Sequence, residues 1–365
     1  MTPATASLKN PRSILIVKLS AVGDVVHTLP ALNALRTAFP SAFIGWVVQP
    51  GAANLLESHP QLDRLFVLPR RLKLGDKTLR RNIEEIKTAG PWDVAIDFQG
   101  LAKSGVVSWI CGAQTRIGFG NRWSRELNWL FMNRRVSPYA VPVIEMNLGL
   151  LSPLGIHKPP AVSVLNVHPA DEQKIERWAA ENEVQGTRFL LLDPFAGWET
   201  KLWQWENWLG VARQCLDEFG LRPAIFHGPG ERIGARELLA EMQRKNIPAL
   251  LAPETTLREY TAFVMRHAAC MVAADTGPMH IAAAAGAPVV ALFGPSDSRR
   301  NAPAFAGARY RVLQDFTQPC AGTFTRHCNH HPPANCMDTV TPAMVMDALR
   351  DLLRGGSTGS DVQAG

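Results

Sequence analysis

Short, near-continuous apolar runs alternate along this chain with longer stretches whose apolar residues recur every three to four positions. That is the pattern of a parallel sheet with crossover helices. In the first half the runs predict strands at 13–19, 43–48, 64–68 and 93–97, and the helical spacing falls at 30–39, 77–87 and 101–110. The run ILIV, without alternation, fits a strand covered on both faces. Residues 157–168, with Pro159 and Pro160, read as a linker. A second series follows, with strands predicted at 189–192, 224–227, 270–274 and 289–293. Its helices are predicted at 204–219, 232–244, 257–266, 278–285 and 342–353. The expected class is α/β: two doubly wound parallel-sheet domains, 12–165 and 166–354, facing across a cleft. The polar stretch 355–365 cannot bury a core and is expected to be a disordered tail. In such sheets ligands sit beyond the carboxyl ends of the strands.

Composition changes this picture little. Of 365 residues, 46% are hydrophobic and 19% charged, ordinary values for a globular protein. The formal charge of +6 points to acidic partners, either phosphates, nucleic acid or an anionic membrane surface. Part of the excess is local, in the run from Pro69 to Arg81, which holds Asp76 as its one acid. That run is either a solvated face or an anion-binding patch. The first twelve residues lack the apolar core of a signal peptide, and the most apolar later stretch, 281–294, is short of the ~18–20 residues that span a bilayer. A cytoplasmic protein is expected, with peripheral attachment to a membrane left open. Cys111, Cys215 and Cys270 stand alone in apolar surroundings and read as small core residues.

Chemistry is expected in the segments that follow predicted strands. In LSAVGDVVHTLPAL, 19–32, residues 20–24 form a small-residue loop and a helix starts near Thr28 and Pro30. Thr28 suits the cap and Pro30 the first turn. Asp24 then stands at the carboxyl end of a strand, where it either takes the proton of an attacking hydroxyl or tethers loop amides. His27 reads as structural. In ADTGPMHIAAAAG, 274–286, a strand runs into a helix whose free amides and positive end suit an anion. Asp275 there either serves a ligand or caps the helix, and His280 either contacts ligand or bonds within the helix. In DPFAGWETKLW, 193–203, Lys201 brings a compact positive charge within reach of a diphosphate. Trp198, Trp203, Trp205 and Trp208 read mostly as packing. Glu231, after the turn FHGPG, either binds a ribose hydroxyl or favours a helix start. In DFQGLAKS, 97–104, Gln99 and Lys103 would face the opening and, with Arg70, Arg71 and Lys73, hold an anionic acceptor; the alternative for Lys103 is a solvated helix-end lysine. Cys320, Cys328 and Cys336 with His327, His330 and His331 raise zinc, but the wide spacing and the lack of a C-x-x-C knuckle favour a loop with incidental thiols.

Four segments together, SAVGDVVHTLP (20–30), DFQGLAKS (97–104), DTGPMH (275–280) and LFGPS (292–296), resemble the ADP-heptose:lipopolysaccharide heptosyltransferase family of inverting glycosyltransferases. They fall in the family's order and the resemblance spans nearly the whole chain. WVVQPG at 46–51 and DFQGLAKS look most like the heptosyltransferase I branch, which adds the first heptose to the Kdo of the inner core. The resemblance implies a GT-B architecture of two Rossmann-like domains, with the nucleotide held mainly by the second. It implies an ADP-activated L-glycero-D-manno-heptose donor, a Kdo-lipid A acceptor in an anionic leaflet, no nucleic acid partner, no cofactor and no obligatory metal. Asp24 matches the catalytic base. Thr200, Lys201, Glu231, Asp275, Thr276, Gly277 and His280 match the donor region; Ser20, Gln99, Lys103, Arg70, Arg71 and Lys73 match the acceptor region. Many members carry two serines before the Gly-Asp step, whereas this chain has Ser20 and Ala21, so one hydroxyl contact is missing.

The chemistry expected is one in-line displacement, with Asp24 taking the acceptor's proton while Lys201 and the amides near 276–280 stabilise departing ADP. Two other classes stand beside it. A nucleotide-sugar epimerase of similar plan would change the donor without acceptor. A non-catalytic protein for anionic glycolipid would ignore the nucleotide sugar. An NAD-dependent oxidoreductase is disfavoured, because the loops after Leu19 and Ala274 lack G-x-G-x-x-G.

Overall fold

The computed structural model describes residues 10–71, 75–327 and 336–354, which form two compact units. The first runs to Asn166 and includes Ala304–Ala306; the second comprises Val167–Pro303 and the chain from Gly307 onward.

In the first unit the apolar run is β1 (Ser13–Val17), with Ile14 to Val17 fully buried, as expected of a strand covered on both faces. Then come α1 (Val22–Val26), α2 (Leu29–Ala38), β2 (Phe43–Val48), α3 (Pro50–Leu56) and β3 (Arg64–Val67). The unit continues with α4 (Lys77–Thr88), β4 (Val94–Asp97), α5 (Ala102–Ile110), β5 (Thr115–Phe119), β6 (Arg134–Val136) and α6 (Val143–Gly149). The sheet is parallel throughout, in the order β3-β2-β1-β4-β5-β6. The sequence pattern did not show β5, β6, α3 and α6. The outermost strand, RRV, is short and charged, as exposed sheet edges generally are, so it carries no apolar run to read. One face packs Leu15, Val17 and Val47 against Phe66, Ile86 and Trp92. Each such aliphatic side chain contributes roughly 1.5–3 kcal/mol on burial. Gly45 is required there, since a Cβ would meet the Trp92 ring at 2.6 Å.

The second unit repeats the plan. It contains α7 (Pro169–Glu181), β7 (Phe189–Asp193), α8 (Trp205–Phe219), β8 (Pro223–Ile225), α9 (Arg232–Arg244), β9 (Leu250–Leu251) and α10 (Leu257–His267). After these come β10 (Ala268–Ala274), α11 (Gly277–Ala284), β11 (Val289–Leu292), α12 (Ser298–Asn301), β12 (Tyr310–Leu313) and α13 (Pro342–Arg354). Its parallel order, β12-β11-β10-β7-β8-β9, is the first unit's order counted from β7 and viewed from the other edge. In both sheets the order of strand addition therefore reverses between the first and fourth strands, β1 with β4 and β7 with β10. The loops at those carboxyl ends are where such folds bind ligands. Local signals agree with the ends of the helices. Asp76 accepts amide hydrogens at the start of α4, Thr256 and Glu259 form a capping box on α10, and Gly220 ends α8 at φ 66°. Cys215 and Cys270 lie in the core of this unit, and Trp203 packs edge-on to Trp208. The tail, 355–365, lies outside the described residues.

Two local expectations change. The loop proposed for residues 20–24 is partly helical, because α1 begins at Val22 and Asp24 sits in its first turn. Thr28 occupies the cap position of α2, but its hydroxyl donates instead to the Asp24 carbonyl at 2.9 Å. The two short helices follow so closely that this hydroxyl closes the first rather than opening the second.

Candidate active site

The carboxyl end of β1 is pinned from several directions. Gln99, just past β4, accepts hydrogen bonds through Oε1 from the amides of Leu19 (3.0 Å) and Ser20 (3.1 Å). Gln99 is itself placed by Asp97, which is fully buried and accepts from the amides of Gln99 and Gly100 and from Asn128. Burial raises the Asp97 carboxyl above the usual range, and these hydrogen bonds only partly oppose it. The Ser20–Ala21 peptide is cis. Asp24 Oδ2 accepts from Ala21 N at 3.2 Å, and Oδ1 lies 3.9 Å from the ammonium of buried Lys18. The loop-tethering role foreseen for Asp24 is thus present, while its side chain stays 37% exposed and open to a proton donor. His27 is buried, and its carbonyl accepts from Asn147.

Beside this loop, residues 19–22 and 49–52 with Arg70 line a cavity of about 580 Å³. Buried Gln49 shapes its rim, donating to the carbonyls of Pro69 and Arg70. Ser20 and Arg70 are thereby brought together. Asp24, Gln99 and Lys103 do not line this cavity, and Gln99 acts through the backbone it holds. Arg71 is exposed, Lys103 is half-buried in the first turn of α5, and Lys73 lies outside the described residues. Lys18 and Gln49 were not singled out from the sequence. A polar residue at the carboxyl end of a strand, as Gln99 is two positions past β4, was the signal available for Gln49.

In the second unit the loops after β7 and β10 meet around one buried carboxylate. Asp275 receives Lys201 Nζ at 2.7 Å on Oδ2 and faces His280 Nε2 at 3.1 Å through Oδ1; Lys201 also donates to the Asp275 carbonyl at 2.8 Å. Burial alone would raise the Asp275 carboxyl, but the His280 hydrogen bond and the Lys201 charge outweigh it and hold it far below the usual range. Thr276 caps α11, and its hydroxyl donates to Asp193 Oδ2 at 2.8 Å. Asp193 is pushed up to about 7, chiefly by burial, with Thr276 opposing and the charge of Glu231 adding to the rise. Glu231 itself accepts from Gly228 N at 2.6 Å and so closes the turn before α9. Thr200 is buried, its hydroxyl given to the Thr325 carbonyl. The hydroxyls of Thr200 and Thr276 are therefore engaged by the protein itself, and Gly277 opens the helix. Gly294, after β11, lies so close that a Cβ there would meet the Thr200 carbonyl at 2.9 Å. Asp193 was missed as a site residue, because a strand-end acid shows no partner until Thr276, 83 positions on, is brought beside it.

Cys320 and Cys336 are buried, whereas Cys328, His330 and His331 lie outside the described residues. Among the described residues no group of three or more His, Cys, Asp or Glu could hold a metal ion, and no helix is long and apolar enough to cross a membrane.

The sequence profile of glycosyltransferase family 9 (heptosyltransferase) matches residues 80–332. The chain belongs to that family. It is similar to the lipopolysaccharide core heptosyltransferase OpsX of Haemophilus influenzae, at 26% identity over 80% of this chain and 82% of that one. With lipopolysaccharide heptosyltransferase 1 of Pseudomonas aeruginosa it shares 29% identity over 87% and 88%. The solved Escherichia coli heptosyltransferase WaaC with ADP has the same fold, with a TM-score of 0.71, 21% identity, and 93% and 99% of the two chains covered. This family 9 glycosyltransferase thus has the GT-B type of fold, two Rossmann-like domains, and membership sets glycosyl transfer ahead of the epimerase and binding-protein readings.

Proposed function

We propose that this family 9 glycosyltransferase moves a heptose from ADP-L-glycero-D-manno-heptose to the Kdo of the lipopolysaccharide inner core, with Asp24 as general base. Its relatives of that family carry lipopolysaccharide heptosyltransferase names, and the E. coli protein was solved with ADP. The observation that carries the assignment of the base is the part-exposed carboxylate of Asp24, anchored at the carboxyl edge of β1 by Ala21 N.

In the proposed step an acceptor oxygen forms its bond to the anomeric carbon while the bond from that carbon to the diphosphate oxygen breaks. The hydroxyl proton passes to Asp24, and the electron pair of the broken bond leaves with ADP. Lys201 and the amino end of α11 meet the charge that develops on the diphosphate, so the reading assigns no step to a metal and nothing to a cofactor. Asp275 and His280 act as positioning residues for Lys201. Ser20, Arg70 and Gln49 border the acceptor's cavity, with Arg71, Lys73 and Lys103 as further cations for its phosphates. An acceptor of this kind places the enzyme at the cytoplasmic surface of an anionic membrane.

A transfer assay with ADP-heptose and Kdo-lipid A, followed by determination of the product linkage, tests the reading. Asp24→Ala is expected to lose at least about a hundredfold in turnover, the lower range for general-base catalysis, while binding ADP as the parent does. Most of the turnover surviving in that variant would remove Asp24 from the mechanism. Donor converted without acceptor would restore the epimerase reading.

A further inference from the structure

In the loop after β7 the ring of Trp198 carries two cations. Lys201 Nζ lies 4.6 Å from the ring centroid and Arg326 Cζ lies 5.1 Å from it. Arg326 comes from a part of the chain remote in sequence and is held in place by its neighbours. The Thr325 carbonyl accepts from Thr200 Oγ1 at 3.0 Å, and Phe324 N donates to the Pro295 carbonyl at 2.8 Å. Those two anchors belong to the loops after β7 and β11, the strands on either side of β10. The segment 324–326 thus bridges the loops that flank Asp275 and Thr276.

The charges around Trp198 are unequally matched. Asp275 neutralises Lys201 at 2.7 Å. Arg326 is exposed and makes no ion pair with a carboxylate among the described residues. A guanidinium held over the face of an indole has more N–H donors than that contact uses, and its fork suits two phosphate oxygens at once. A site built to release a nucleoside diphosphate needs more positive charge than one already neutralised lysine supplies.

We propose that Arg326 is a second cationic residue of the donor site, one that grips the terminal phosphate of a nucleoside diphosphate. The inference rests on the donor reading above and adds a residue to it. As the bond between anomeric carbon and oxygen breaks, its electron pair passes to an oxygen of that phosphate. The Arg326 charge stabilises it there and no proton leaves the guanidinium.

Titration calorimetry of the full chain with ADP and with AMP tests this, using the parent protein, Arg326→Ala and Arg326→Lys. The alanine variant is expected to bind ADP roughly tenfold or more weakly, the weight of a charge-assisted hydrogen-bonded contact, and AMP almost as well as the parent. The lysine variant, which keeps the charge without the fork, is expected to fall between for ADP and again to bind AMP almost as the parent does, a selectivity that a merely structural contact with Trp198 would not produce. Equal weakening toward both nucleotides, or an unchanged ADP affinity in the alanine variant, overturns the proposal while leaving the donor reading intact. A parent protein that binds neither nucleotide overturns both.

Discussion

Lys201 and Asp275, 74 positions apart in sequence, form a 2.7 Å ion pair with little access to solvent, and His280 closes the other side of the carboxylate. A buried pair of this kind contributes modestly as a unit, but removing one partner strands the other charge. Asp275→Asn and Lys201→Met are each expected to lower stability by about 3–5 kcal/mol. The double variant should lose much less than the sum of the two. Urea unfolding of the four proteins checks this, and additive losses would mean that the two groups do not form a unit.

Asp193 gives a pH dependence of opposite sign to that of Asp275. Its folded pKa of about 7 is raised above the ordinary aspartate value, so between about pH 4 and 7 the folded state holds a proton that the unfolded chain releases. Stability contributed by this group is present below pH 4, declines as pH rises through that window and is gone above 7. Asp275, with its depressed pKa, acts only below about pH 4, where its stabilisation is lost on acidification. Asp193→Asn should therefore melt higher than the parent at pH 8, and the gap in Tm should narrow toward pH 4. A gap in Tm independent of pH would count against a protonated Asp193 at neutrality.

Gln99 holds two amides of the Asp24 loop through one oxygen. Gln99→Leu keeps much of the volume but leaves those amides without their partner, at an expected cost of about 1–3 kcal/mol. Because Gln99 acts through the backbone, kcat should fall while the affinity for ADP stays unchanged. Calorimetry and initial rates on the same preparation test that split. A parallel loss of ADP affinity would place Gln99 in a different role.

The central strands were legible in the sequence because parallel strands covered on both faces must be apolar without interruption. ILIV at 14–17 and VVAL at 289–292 carry that mark. The strand-end positions of Asp24, Gln99, Lys201 and Asp275 were legible for the same reason, since each follows such a run. Among the edge strands, RRV at 134–136 and YRVL at 310–313 escaped notice, being charged or half-buried with no alternation to read, whereas RLFV at 64–67 was legible.

What local sequence determined, then, was the two doubly wound sheets and the loops at their carboxyl ends, through hydrophobic periodicity and helix-start signals that depend on near neighbours. Tertiary structure alone decided which groups meet. Asp193 with Thr276, Lys201 with Asp275, Gln99 with the amides of Leu19 and Ser20, and Arg326 with Trp198 are joined across many tens of residues. Those pairings follow from strand order and register, which hydrogen-bond residues distant along the chain, and no local pattern encodes them.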